Sequence, residues 1–308
     1  MLLERVKQFR MSFAVSAVLM PLFLLSATLA LSAEKGQDTP KVVMQKVMDL
    51  FPREARAFAE LGHAYAANNE PYKAIEFYHK ALEINPFNIQ ARSSLGAVYA
   101  SLKKFDEALE EFKKASDIDA GYADVYFYMG NCYHDMRDYE NAKAAYRKAI
   151  EIKPDYIKAY LNLGLTLLLK YQYAQAIEVF QRAVDLEPDH ARIHFHLGHA
   201  FRDMGRRTEA IAAYKRAIEL DPEYAEAYHY LGTMYALVGN FDGAIGLYQK
   251  AVKIDPGYAK AHYNLSVAYY QNGDYSRARE HADKAGALGY KISPKFSRLL
   301  LQKVFSEE

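Results

Sequence analysis

Residues 123–156 read ADVYFYMGNCYHDMRDYENAKAAYRKAIEIKPDY, and residues 157–190 read IKAYLNLGLTLLLKYQYAQAIEVFQRAVDLEPDH. Laid over one another without a gap, Gly130 falls on Gly164, Ala142 on Ala176, Ala149 on Ala183 and Pro154 on Pro188. The glycine column continues at the same 34-residue step through Gly62, Gly96, Gly198 and Gly232 and closes at Ser266, so one supersecondary unit is copied along the chain. Alanine recurs twelve residues after each column member (Ala74 to Ala278) and again seven residues later (Ala81 to Ala285). Between the two alanines stands a large aromatic, Tyr78, Phe112, Tyr146, Phe180, Tyr214 or Tyr248, replaced only in the last copy by Ala282. Such rings carry much of the apolar area a core needs. Pro86, Pro154, Pro188, Pro222 and Pro256 end five of the copies, because proline cannot continue a helix.

Inside a copy the apolar period is helical. Val125, Met129, Cys132, Tyr133 and Met136 recur at spacings of three and four, the stripe of an amphipathic helix. A second helix is predicted from about Tyr139 to Ile152, after a turn at Arg137-Asp138. One such hairpin cannot bury its own apolar face, so stability has to come from stacking on the next.

These columns resemble the tetratricopeptide repeat family, whose pattern is met in Leu61-Gly62, Tyr65, Ala74, Tyr78, Ala81 and Pro86. The resemblance covers residues 55–292 as seven full repeats (55–88, 89–122, 123–156, 157–190, 191–224, 225–258 and 259–292). One period back, Val47 and Pro52 occupy the second alanine column and the proline column, which predicts half of a degenerate repeat over 41–54. Forward, Ser293-Pro294 reads as a helix start, and 293–308 with Leu299, Leu300, Val304 and Phe305 as a capping helix. The resemblance implies an all-α, right-handed superhelix whose first helices line a concave groove holding extended peptides or partner helices.

The groove columns implied by the family hold Phe127, Leu161 and Phe195; Asn131, Leu165 and His199; and His134, Leu168 and Arg202. In the fourth repeat Leu161, Leu165, Leu168 and Leu169 fill columns that elsewhere include Ser93, His63, Asp135 and Asp203, so an exposed apolar patch suited to a protein or peptide partner is expected there. Some family members grip a terminal carboxylate with two asparagines and three basic residues. The matching positions are Phe127, Asn131, Asn162, Arg192 and His196, so that both asparagines and Arg192 agree, His196 is expected to be partly basic, and Phe127 stands where a lysine would. The clamp is incomplete.

Catalytic motifs are missing: there is no phosphate-cradling glycine loop ending in Gly-Lys-Ser/Thr, no Gly-x-Ser-x-Gly and no His-Glu-x-x-His. A non-enzymatic scaffold without a cofactor is the expectation. His190, His194, His196 and His199 raise the alternative of a metal or small ligand held by His196 and His199, since spacings of three and four bring imidazoles together on a helix. His194 shares its column with Phe58, Tyr126, Tyr160 and Tyr228 and is expected to pack inside its repeat. Cys132, the single cysteine, sits in a column of small residues and reads as core. Asn264-Leu265-Ser266 fits a glycosylation acceptor but falls inside a predicted helix. Tyr128, Tyr230, Tyr263 and Tyr270 offer aromatic platforms for sugars, which keeps a polysaccharide-handling accessory as a second alternative.

A net charge of +1 argues against a nucleic-acid partner. The first 35 residues carry the other signal. Arg5, Lys7 and Arg10 precede an uncharged apolar run over 11–31, long enough to span roughly 30 Å of hydrocarbon. Its small-residue end, Ser26-Ala27-Thr28-Leu29-Ala30, also resembles a signal-peptidase site, so a signal anchor and a cleaved signal peptide both remain open. Either way the basic flank keeps the amino terminus cytoplasmic and exports the repeats, to a bacterial periplasm or its equivalent.

Overall fold

The computed structural model describes residues 53–307. The apolar run 11–31, the leader over 1–35 and all but the end of the predicted half-repeat 41–54 lie outside the described residues. Among those described, the chain is all-α and forms fifteen helices, and none is long and apolar enough to cross a membrane.

The chain divides after Pro154 into two compact units. The first holds three hairpins: α1 (Arg53–Ala67) with α2 (Pro71–Ile84), α3 (Ile89–Ser101) with α4 (Phe105–Ile118), and α5 (Ala123–Asp135) with α6 (Tyr139–Ile152). Within it α1 meets α3 and α3 meets α5, so first helices line up beside one another. The second unit holds α7 (Ile157–Leu169) with α8 (Tyr173–Leu186), α9 (Ala191–Asp203) with α10 (Arg207–Leu220), α11 (Ala225–Ala236) with α12 (Phe241–Ile254), and α13 (Ala259–Gln271) with α14 (Tyr275–Ala287). It ends in α15 (Pro294–Glu307), which packs on α14. There, too, α7 meets α9 and α11 meets α13.

The two strongest columns of the repeat are partners in space. A Cβ added to Gly62 would lie 2.6 Å from the Tyr78 ring, one on Gly130 2.5 Å from Tyr146 and one on Gly198 2.6 Å from Tyr214. The second-helix aromatic therefore presses against bare backbone of the first helix. The last repeat changes both partners at once: Ala282 replaces the ring, Ser266 replaces the glycine, and the Ser266 hydroxyl donates to the Ala278 carbonyl at 2.6 Å. Leu300 of α15 joins Ala278 and Ala282 in the core there. Gly198→Ala should thus lower stability by about 1–2 kcal/mol through overpacking, net of its gain in helix propensity. Gly246→Ala, at a helical site with nothing near its Cβ, should raise stability by up to about 1 kcal/mol. Urea melts of the two variants check the pair, and equal shifts would contradict this account.

Each hairpin turns through one left-handed residue, again at the 34-residue step: Asn69, Lys103, Arg137, Tyr171, Gly205, Gly239 and Gly273. The next N–H reaches back to a carbonyl of the last helical turn, as in Asp138 to Tyr133 (2.8 Å) and Arg206 to Phe201 (2.8 Å), the Schellman closure of a helix end. Asp138, Asn240 and Asp274 then cap the second helices by accepting from Asn141, Gly243 and Arg277.

A polar variant of the intra-repeat lock appears where the rings of Phe58 and Phe77 stack at 6.1 Å in the first repeat. Arg92 and Glu111 take those places in the second, as a mostly buried ion pair at 2.9 Å, and His262 and His281 in the seventh, Nδ1 to Nδ1 at 3.0 Å. Arg92, His194 and His262 also each donate a ring or guanidinium N–H to the carbonyl of the proline six residues before, at 2.8, 2.8 and 3.1 Å. His194 is thereby tied to the closing proline of the preceding repeat, a contact between repeats rather than one inside its own.

Candidate functional site: the first-helix face of the second unit

The aligned first helices α7, α9, α11 and α13 carry most of the residues the sequence singles out. On α7, Leu161 is buried, Leu165 and Leu168 are half-buried and Leu169 is 52% exposed. The open apolar surface is therefore smaller than the sequence implies and runs from Leu165 to Leu169. Asn162 is half-buried beside them. Phe127 and Asn131 belong to the first unit, where Phe127 is buried against Tyr146 at 6.1 Å between centroids and Asn131 accepts from the Tyr146 hydroxyl at 2.8 Å.

On α9, Phe195 also departs from its groove-lining expectation. It is 7% exposed, with its ring 4.4 Å from His199, 4.7 Å from Tyr224 and 5.8 Å from Tyr230. Tyr224 closes the same repeat and Tyr230 comes from the next, so the ring gains more by joining them than by facing water. His196 stacks on Phe180 at 6.0 Å and accepts from the Arg192 guanidinium at 3.3 Å. Burial, with His199 and Arg192 adding to it, pushes the His196 imidazole down to about 3. His196 is thus neutral at physiological pH and supplies no charge to a clamp, which corrects the expectation of a partly basic side chain. His199 is held at about 4, chiefly by burial and then by Arg202. Its Nδ1–H is shared between the Phe195 carbonyl (3.1 Å) and the Tyr214 hydroxyl (3.3 Å).

These contacts bear on the metal alternative, because the acceptor nitrogen of His196 is already taken by Arg192. The rings of His196 and His199 meet edge to face at 6.2 Å with one nitrogen of each already engaged. Among the described residues no group of three or more His, Cys, Asp or Glu side chains is placed to hold a metal ion. The His262–His281 pair does not open a second possibility: a 3.0 Å nitrogen contact with centroids 5.2 Å apart puts the two rings head-on, as a hydrogen bond requires. Cys132 is buried, and burial raises its thiol to about 11, where it is inert.

Two residues that sequence reasoning passed over complete the site. His229 of α11 is fully buried and accepts from the Asn264 amide at 2.8 Å, which leaves Nδ1–H to donate to the Tyr258 hydroxyl at 3.1 Å. Burial, then Lys260, holds it near 3. Asn264 is consumed by this bond, inside α13. Lys260 lies 5.4 Å above the Tyr230 ring, and Arg202 lies 5.0 Å from the same ring. Tyr230 is thus a half-buried aromatic with a cation at two approaches, a favourable electrostatic arrangement. Arg202 is also bonded to Asp203 at 2.7 Å. Of the other proposed sugar platforms, Tyr263 stacks on Tyr290 at 4.6 Å and Tyr270 packs on Phe296 at 5.6 Å. Tyr128 lies over Phe112 at 5.8 Å.

Family models described as tetratricopeptide repeat match residues 55–88 and 123–156, 155–223, 195–259 and 235–300, and one described as TPR repeat matches 98–136. No curated protein matches. Among solved structures, YrrB, described as a TPR protein with an unusual peptide-binding site, is 27% identical over 60% of this chain and 95% of its own, with a TM-score of 0.51. PilF of Pseudomonas aeruginosa is 22% identical over 68% of this chain and 95% of its own (TM-score 0.58). A tetratricopeptide repeat protein of Parabacteroides merdae is 17% identical over 82% of this chain and 100% of its own (TM-score 0.60). The last two show the fold alone. Matched models, period and hairpin stacking agree: the chain belongs to the tetratricopeptide repeat family, with repeats spanning about residues 55–300.

Proposed function

We propose that the protein is a non-enzymatic scaffold that holds a peptide segment or helix of a protein partner along α7, α9, α11 and α13, within an envelope or membrane-associated complex. The observation that carries the reading is the first-helix face of α7, α9 and α11, on which no further helix packs among the described residues. Leu165, Leu168 and Leu169 lie on α7 and Tyr230 on α11, and α15 packs on α14 and, through Phe296, against Tyr263 and Tyr270 of α13, not on these residues. Half-exposed apolar side chains beside a polar rim favour a partner segment. The likeness to YrrB, whose description includes a peptide-binding site, supports the same reading. The basic residues before the apolar run 11–31 favour export, with the run as an anchor or as a removed signal.

The test is affinity capture by the full chain, comparing Leu165→Asp with His196→Ala. The aspartate variant should lose its identified partner by about tenfold or more, since a carboxylate placed in an apolar contact must be desolvated. The alanine variant should keep its partner. Retention by both at unchanged helicity would remove the groove from the function.

A further inference from the structure

The charged groups on this face are unevenly satisfied. Arg192 donates to a neutral imidazole, and Lys260 stands over the Tyr230 ring; among the described residues neither has a carboxylate within ion-pair distance. Arg202 shares the Tyr230 ring with Lys260. Against these three cations stand Asp203, which Arg202 already holds, Glu226, exposed on the first turn of α11, and, in the pocket beside Arg192, Glu187, Asp221 and Asp189, the last of which Arg216 holds. Both unpaired cations are exposed, whereas the neutral rings beneath them are buried or half-buried. An anion brought here would meet cations over a low-dielectric aromatic floor, where their attraction is stronger than in open water. One helix away, on α7, the surface is apolar instead.

Resting on the groove reading above, we propose that the partner segment is internal and acidic. Its apolar part lies on Leu165 and Leu168, and its Asp or Glu side chains fall between Arg202 and Lys260 over Tyr230 and beside Arg192. A chain-terminal carboxylate is not required. The positions that would grip one include Phe127, which is buried and uncharged, and His196, which is neutral.

Fluorescence anisotropy with the full chain tests this. The probes are synthetic peptides of about a dozen residues, apolar in one half and Asp/Glu-rich in the other, made with a free or amidated end, and an Asn/Gln isostere of the acidic half. The acidic peptide should bind at least about tenfold tighter than the isostere and weaken about tenfold between roughly 50 and 500 mM salt, while amidation changes binding less than about twofold. Arg192→Glu with Lys260→Glu should cost at least about tenfold, and Arg182→Glu, on the exposed face of α8, nothing measurable. Equal binding of the isostere, indifference to the double substitution, a requirement for the free carboxylate, or failure of every peptide overturns the proposal. Leu165→Asp separates the two readings: if it abolishes capture of the native partner while the charge variants bind normally, the groove stands and the acidic assignment falls.

Discussion

Replacing Tyr214 by alanine is expected to cost about 3–5 kcal/mol of unfolding free energy, in the range of large aromatic truncations in packed cores. Tyr214 has no exposed surface, fills the space over Gly198, and stands 5.6 Å from His199 and 6.1 Å from Tyr230. Removing it opens a cavity between two repeats and strips His199 of a hydrogen-bonding partner. Because each repeat is stabilised through its neighbours, the loss should reach the hairpins on both sides. The seventh repeat indicates the rescue. There Ser266 faces Ala282, so adding Gly198→Ser to Tyr214→Ala should recover part of the loss by refilling the gap. Urea melts followed by far-UV circular dichroism give both numbers. A cost below about 1 kcal/mol would show that the ring column does not hold the hairpins together.

Acid should weaken the second unit well above the ordinary carboxylate range. His196 and His229 are held near 3, and His199 and His281 near 4, against 6.5 for a free imidazole, and burial is the first cause in every case. The sign follows from proton counting. Between pH 6.5 and 4 the unfolded chain binds protons that the folded chain refuses, so stability is full above 6.5 and falls as the pH drops through that window. Each histidine contributes up to about 1.4 kcal/mol per pH unit, so together they should dominate the change between pH 7 and 5. His229→Gln, which keeps a polar group for Tyr258 and Asn264, should flatten the slope by about one proton. Melts at a series of pH values check it, and a flat profile from pH 7 to 5 would mean that these imidazoles are not kept neutral by the fold.

Much of the fold was readable because its strongest constraint, a ring against bare backbone, forces two residue types to recur in register. The left-handed turn was not, since Asn69, Lys103, Arg137 and Tyr171 occupy it in four repeats and only Gly205, Gly239 and Gly273 display the expected residue type. At the candidate site the column of Phe127, Leu161 and Phe195, extended by one more step, arrives at His229, and a histidine in an apolar column was the available sign of a buried polar network. Likewise Lys260 repeats the position of Arg192 two copies on. The burial of Phe195 and Leu161 was not readable. A column records which way a side chain leaves its own helix, whereas the tyrosines that draw Phe195 inward come from other elements, Tyr224 from the end of its repeat and Tyr230 from α11 of the next. The same holds for His196, whose neutrality is set by its surroundings rather than by its spacing.

The terminal helix bears on how a chain of this kind can grow. Leu300 sits in the core of the last hairpin and Phe296 lies against Tyr263 and Tyr270, ground that a further copy would need. A duplication appended after Ala287 would have to evict this stopper and leave its apolar side chains in water. One spliced in upstream, between existing copies, would meet compatible surfaces on both sides. A whole extra copy is thus accommodated more readily between existing copies than against α15.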